Sequence, residues 1–293
     1  MESTELSAEI KQAIIEFQKS EITEHLIYGQ LAKLEKKEQN HELLLSIADD
    51  ELRHYTIWQH YTGQDVKPDR LKIWWYVLIA RIFGVTFGIK LMEGGEEQAQ
   101  VAYGKIANVI SEAEAIKNDE NQHENQLIGM IDEEKLKYLG SVVLGLNDAL
   151  VEMTGTLAGL TFALQNARLV GIAGLITGIA ASLSMAASEY LSTKSEAGEK
   201  DPLKASIYTG ITYVLAVSAL IVPFLLLNDP FISLGLALLS GIFLIMIFTF
   251  YFSVVRGVSF KRRFLEMAGV SLGVAGLSFL IGLAVRQFLK IDI

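Results

Sequence analysis

The 293-residue chain carries 34 acidic against 25 basic residues, a formal net charge of −9, and 51% of it is hydrophobic. That balance excludes a nucleic-acid binder, which needs clustered Lys and Arg. The lack of cysteine excludes disulfides and thiolate metal sites, so any metal must sit on carboxylate, imidazole, thioether or backbone oxygen. Residues 1–138 hold 25 of the acidic residues, 15 of the basic ones and all five histidines, so that part carries about −10 and the rest about +1. The split predicts two domains, an acidic helical one over 1–135 and an apolar one over 136–293. The opening stretch MESTELSAEIKQAIIEFQKS has neither a basic start nor an apolar centre. No cleaved signal is expected there, and the N-terminal domain is expected to stay in the cytoplasm.

Residues 5–132 read as helix almost throughout, with apolar positions at helical spacing such as Ile10, Ile14 and Phe17, and then Leu43 and Ile47. Turns are expected near 36–41, at 63–70 around Gly63 and Pro68, and near 106–112. Four helices follow, most simply as an up-down bundle.

Two Glu-x-x-His motifs stand out in that bundle, Glu51-Leu-Arg-His54 and Glu120-Asn-Gln-His123. Residues i and i+3 share a helix face, so each motif offers a carboxylate and an imidazole to one point. A two-metal site in a bundle also needs a carboxylate from each remaining helix. Glu21 and Glu24 are available on the first helix, and Glu93, Glu96 and Glu97 on the third. The midpoint between Glu21 and Glu51 is residue 36, and that between Glu93 and Glu120 is near 106. Both fall at or near predicted turns, so in antiparallel hairpins each pair lies at one height. His25, His41 and His60 read as surface or supporting groups.

The segments SEITEHLIY (20–28), ADDELRH (48–54), MEGGEEQAQVAY (92–103) and NDENQHE (118–124) resemble the four helices of ferritin-like, rubrerythrin-type diiron proteins. The resemblance implies two iron ions held by Glu21, Glu51, His54, Glu93, Glu96, Glu120 and His123, with Glu24 and Glu97 as further candidates. No rubredoxin-like cysteine domain accompanies them. The apolar run at 73–91, with Trp74, Trp75 and Tyr76, is nearly long enough to cross a membrane. Crossing there would separate the two Glu-x-x-His motifs, so it is read as the start of a long third helix with an interfacial or domain-contact surface.

Five later stretches are each apolar enough to read as membrane spans: about 139–164, 169–192, 205–227, 231–255 and 264–288. With the N-terminus inside, the inner joints carry Lys194, Lys200, Lys204, Arg256, Lys261, Arg262 and Arg263. The outer joints and tail carry Arg168, Arg286 and Lys290. This follows the positive-inside rule and leaves the C-terminus outside. Asp148, Glu152 and Glu189 lie inside apolar runs, where an ionised carboxylate is costly unless paired or hydrated. Asp148/Glu152 and Met185/Glu189 are i, i+4 pairs on consecutive spans, a polar ladder suited to a borderline-soft divalent cation. Gly155/Gly159, Gly174/Gly178 and Gly269/Gly273 repeat at a spacing that lets membrane helices approach closely.

The segments LGLNDALVEMTGTLAGL (144–160) and GIAASLSMAASEYLS (178–192) resemble the first two spans of the vacuolar iron transporter family. That resemblance implies a five-span homodimer exchanging Fe²⁺, often also Mn²⁺, for protons, with Asp148, Met185 and Glu189 on the metal path. The glutamate-rich insert of plant members is missing, since only TKSEAGEKDPLK lies between the second and third stretches. The whole chain resembles the membrane-bound ferritins. The expectation is therefore an all-α protein, a ferritin-like bundle followed by five spans, that exports iron while its bundle captures, oxidises or senses the metal. Expected partners are metal ions, the lipid bilayer and a second copy, in a prokaryotic inner membrane. The alternative is a membrane-anchored diiron oxidase whose membrane part is only an anchor.

Overall fold

The computed structural model describes residues 8–92, 110, 112–130, 137–196 and 200–289, and among these the regular structure is entirely α-helical. Two compact units are present: Met1–Ile131 with Val254–Gly257, and Asp132–Ser253 with Val258–Ile293.

In the first unit, α1 (Ala8–Leu34) and α2 (Glu38–Thr62) form an antiparallel hairpin whose three-residue joint falls where the turn was expected. Gly63 ends α2 in the left-handed region, its N–H bonding Gln59 O. Asp69 then caps α3 (Arg70–Phe83), accepting from the N–H groups of Leu71 and Lys72. The N–H of Asp69 donates to Thr23 Oγ1, which fastens this corner to α1. The expected long third helix is interrupted: α3 stops at Phe83, Gly84 takes φ +99, and helix resumes over 85–92. A side chain rarely tolerates that φ, so Gly84 permits the break. The rest of the predicted third helix, with Glu93, Glu96 and Glu97, lies outside the described residues. The described helices of the first unit are therefore α1, α2, α3 and α4 (Glu112–Gly129), and they do not establish the expected four-helix bundle.

The second unit contains α5 (Leu139–Leu164), α6 (Ala167–Ser195), α7 (Pro202–Leu226), α8 (Pro230–Arg256) and α9 (Phe260–Leu289). Large apolar side chains such as Ile176, Leu183, Leu215, Leu226 and Leu239 point outward, whereas Thr154, Thr209, Ser233, Thr249 and Ser271 are buried. Apolar outside and small polar inside suits a hydrocarbon solvent. Four helices, α6 to α9, are long and apolar enough to cross a membrane, against the five expected. The exception is α5, which is long enough at 26 residues but carries Asn147, Asp148 and Glu152 in its apolar run.

Of the glycine pairs, Gly155 and Gly159 receive α9 at Val274 and Ser278, and Gly174 and Gly178 receive Leu157 and Val217. Closest of all is Gly282, where a Cβ would collide with the Gly159 carbonyl oxygen. Gly269 and Gly273 have nothing within 4 Å of a Cβ position.

Candidate metal centre and polar path

The chemistry of the first unit sits between two apolar layers. On one side Ile14, Phe17, Trp58, Ala113 and Ile116 pack together; on the other Ile27, Leu31, Leu44, Ile47 and Leu127 do. Each of α1, α2 and α4 contributes to both layers, and the polar residues lie between them in sequence: Glu21, then Glu51 and His54, then Glu120 and His123. Burial of the flanks desolvates the middle.

One ligand atom from each of Glu21, Glu51, His54 and Glu120 lies within 4.8 Å of every other. His54 Nδ1 is 3.6 Å from Glu21 Oε2, 3.5 Å from Glu51 Oε2 and 3.3 Å from Glu120 Oε1. The other oxygen of Glu51 is 3.3 Å from His123 Nδ1, so this carboxylate faces both imidazoles. Glu51 Oε2, His54 Nδ1 and His123 Nδ1 are buried with no hydrogen bond among the described residues. Buried polar atoms normally find partners, and orphans sharing one small volume suit a cation. Carboxylate and imidazole are the donors that first-row divalent metals take when thiolate is missing.

The charge states follow from the crowding. Burial pushes the Glu21 carboxyl up to about 8 and also raises that of Glu120. Burial by itself would lower His54, but the carboxylates of Glu120, Glu21 and Glu51 outweigh it and push it up to about 12. His123 is raised likewise, against burial, by Glu51 and Asp50. The cluster thus gathers negative charge in a dry volume and relieves it with protons. A divalent cation relieves the same charge by displacing those protons.

Two aspartates that the motif spacing does not single out stand behind the imidazoles. His54 Nε2 is 3.2 Å from Asp119 Oδ2, and His123 Nε2 is 3.1 Å from Asp50 Oδ2. Each imidazole is therefore oriented by the aspartate preceding the glutamate of the opposite motif, a cross-braced arrangement that fixes ring and tautomer. Arg53 donates to both aspartates, at 2.8 Å to Asp50 and 2.9 Å to Asp119. Each aspartate stays below its usual range: burial opposes this, and Arg53 with the facing histidine prevails. The signal was present, since both motifs read Asp-Glu-x-x-His. From α2, Trp58 Nε1 donates to Glu21 Oε1 on α1 at 3.1 Å and holds that carboxylate in place.

Glu24 stands apart from the cluster, bound by Ser20 Oγ at 2.9 Å and by Lys72 Nζ at 3.3 Å. His25 and His41 bond the carbonyl oxygens of Ala48 and Ala32, and His60 is exposed, so none of the three joins the cluster.

In the second unit the acids are strung along helices rather than gathered. Glu189 on α6 accepts from Ser141 Oγ at 2.6 Å, and the Ser141 carbonyl accepts from Thr209 Oγ1 at 3.0 Å. Glu152 accepts from Tyr213 OH at 2.7 Å. Asp148 lies one turn from Glu152 on α5. The Ser141–Glu189 bond and the approach of Leu157 to Gly174 set the register of α5 against α6, which brings Ser182 level with Asp148. Met185, half-buried against the core, is then about 4–5 Å nearer the Glu189 end, three residues at 1.5 Å each.

Comparison with protein families bears on this stretch. Residues 139–200 match the VIT family. The match spans α5 and α6 and includes Asp148, Glu152, Met185 and Glu189. Together with the apolar helices it identifies an integral membrane protein and points to a membrane transporter of metal ions. No curated protein matches the chain.

Proposed function

We propose that this protein exports Fe²⁺, or Mn²⁺, from the cytoplasm in exchange for protons, served by a ferritin-like two-iron domain in its first unit. The observation that carries the reading is the pairing, in one chain, of a VIT-family segment bearing intramembrane acids with a separate buried Glu/His cluster. In this reading α5 is a fifth span, with the N-terminus cytoplasmic and the C-terminus outside. Supporting this, α5 packs against α6, α7 and α9, its Glu152 accepts from Tyr213 of α7, and its Ser141 donates to Glu189 of α6. A helix enclosed by protein tolerates acids that a lipid-facing helix does not. A homodimer in a prokaryotic inner membrane follows the family resemblance.

The first unit holds metal through Glu21, Glu51, His54, Glu120 and His123, with Glu93 and Glu96 as further ligands and Glu24 and Glu97 as alternatives. Two iron ions bound there would supply ferrous-to-ferric oxidation chemistry. The protein's own residues shield the site from water, orient both imidazoles through Asp50 and Asp119, and give up protons on binding. The membrane residues Glu189, Met185, Asp148 and Glu152 form the path, with carboxylates that exchange metal for protons.

The second reading, a membrane-anchored diiron oxidase, rests on the Glu/His cluster alone. The two readings separate in proteoliposomes with a pH gradient and radioactive Fe²⁺. Wild type is expected to show proton-coupled flux and Asp148→Ala none. Wild type without flux refutes transport. Flux unchanged in Glu51→Ala refutes a required capture role for the first unit.

A further inference from the structure

The helix α3 carries an apolar face that no other described residue covers. Leu71 is 81% exposed, Trp74 62%, Trp75 50% and Ile82 64%, with half-buried Leu78 between them. These positions follow i, i+3, i+4, i+7, i+11, so they form one stripe within roughly 100° of arc at 3.6 residues per turn. The opposite side of α3 is engaged, with Ile79 and Ala80 buried and Lys72 bonded to Glu24. A contiguous exposed apolar stripe with two indoles marks a contact surface.

Charge distinguishes the occupant. The segment around this face, RLKIWWYVLIARIF, carries three basic residues and no acid, inside a domain whose sequence is about −10. Arg70 and Arg81 border the stripe on one side. Together with Gln30, Trp74 and Leu78 they line a cavity of ≈ 310 Å³ between α3 and α1. Neither arginine has an ion-pair partner among the described residues. Two guanidiniums beside an indole and aliphatic chains suit a phosphate bearing acyl chains.

Reach also favours a bilayer. Nine residues separate the end of α4 at Gly129 from the start of α5 at Leu139, a tether of at most about 32 Å fully extended. A chain of that length reaches no farther than about the thickness of a hydrocarbon core. At 14 residues α3 is about 21 Å long and cannot cross a hydrocarbon core of about 30 Å. Lying in the interface, it needs no such length.

We propose that α3 docks on the bilayer surface, with Leu71, Trp74, Trp75, Leu78 and Ile82 in the acyl boundary and Arg70 and Arg81 on the phosphates of anionic phospholipid. The bilayer thereby fixes the first unit at the membrane through a second contact besides the chain itself. This rests on the membrane helices and not on which metal the protein handles.

The chain has three tryptophans, and the third, Trp58, is fully buried. Intrinsic fluorescence of the full-length protein in liposomes therefore reads this face directly. In vesicles of phosphatidylcholine and phosphatidylglycerol, lipid brominated near the headgroup should remove most of the Trp74 and Trp75 emission, and lipid brominated deep in the chain should remove less. Trp74→Phe/Trp75→Phe should retain only unquenched Trp58 emission, which also reports correct folding. Arg70→Gln/Arg81→Gln should lose quenching in anionic vesicles, down to the level of pure phosphatidylcholine. Strong quenching by aqueous acrylamide with none by brominated lipid would overturn the proposal. So would protection from both quenchers, the mark of a face covered by a second copy. Deep quenching exceeding shallow would overturn interfacial docking, and an arginine double variant that quenches like wild type would overturn the phosphate contact.

Discussion

The two units handle buried acid in opposite ways. In the first, Glu21, Glu51 and Glu120 converge on the His54 imidazole between two apolar layers, with Asp119 behind that ring and Asp50 behind His123. In the second, Glu152 and Glu189 are separated along their helices, each satisfied by a single hydroxyl from Tyr213 or Ser141. Convergence of buried polar atoms that make no hydrogen bond among the described residues favours holding an ion. Dispersed acids with one labile partner apiece favour passing an ion along, because a site that conducts must also release. Under the proposed function the same residue type serves retention in one unit and passage in the other, and the arrangement of partners makes the difference.

The largest expected effect is a double dissociation. Glu51→Ala removes the carboxylate that faces both His54 and His123, so metal bound by the purified protein should fall by the stoichiometry of the first-unit site. Asp148→Ala should leave that metal in place and abolish flux. Metal analysis after gel filtration, beside the liposome assay, checks both, and parallel losses in the two variants would dissolve the contrast between holding and passing.

Next in size is the brace. Asp119→Asn keeps the shape but removes the charge behind His54, and metal affinity should weaken about 10–100-fold, as for other groups behind a metal ligand. Asp50→Asn should do the same through His123. Competition with a fluorescent chelator reads both; wild-type affinity in both variants would mean that the imidazoles are positioned by packing alone.

Smaller again is a packing test of the membrane unit. Gly282→Ala presses a methyl group onto the Gly159 carbonyl and should destabilise by about 1–3 kcal/mol, the usual penalty for overfilling. Gly273→Ala, with open space around it, should leave thermal unfolding in detergent unchanged. Equal melting of the two would show that α5 and α9 are not held at this close approach.

The smallest effect belongs to Arg53→Gln. Arg53 is exposed, so its two bridges to Asp50 and Asp119 should contribute no more than about 1 kcal/mol to stability, seen in thermal melts. A larger loss would mean that the brace supports the fold as well as the imidazoles.

Much of this was legible in the residues alone. The pairing of Glu21 with Glu51 and His54 followed from the turn near residue 36, because helices rise uniformly and equidistant positions across a tight turn share a height. The mean apolarity of α6 to α9 was equally legible, being a sum over local composition. The alignment of Asp50 behind His123 and Asp119 behind His54 was not. Which neighbour a helix residue faces depends on how two helices rotate about their axes, and packing decides that rotation. The break at Gly84 was hidden inside a continuous apolar run, where hydropathy reports burial but not backbone continuity. The status of α5 shows the same limit: its acids lower its apolarity, and only its place among α6, α7 and α9 tells what surrounds them.

The sequence by itself determined the contrast in composition between the two halves, the all-helical class, the Glu-x-x-His spacings and the acids within apolar runs, because each depends on composition or on spacing within one helix. Only the tertiary structure decided that three helices bring Glu21, Glu51, His54 and Glu120 within one coordination distance. It also decided that Glu189 closes on Ser141, that Gly282 seats on Gly159, and that no other described residue covers the tryptophan face of α3. Those outcomes depend on distances between segments remote in sequence, which the packing of whole side-chain layers sets.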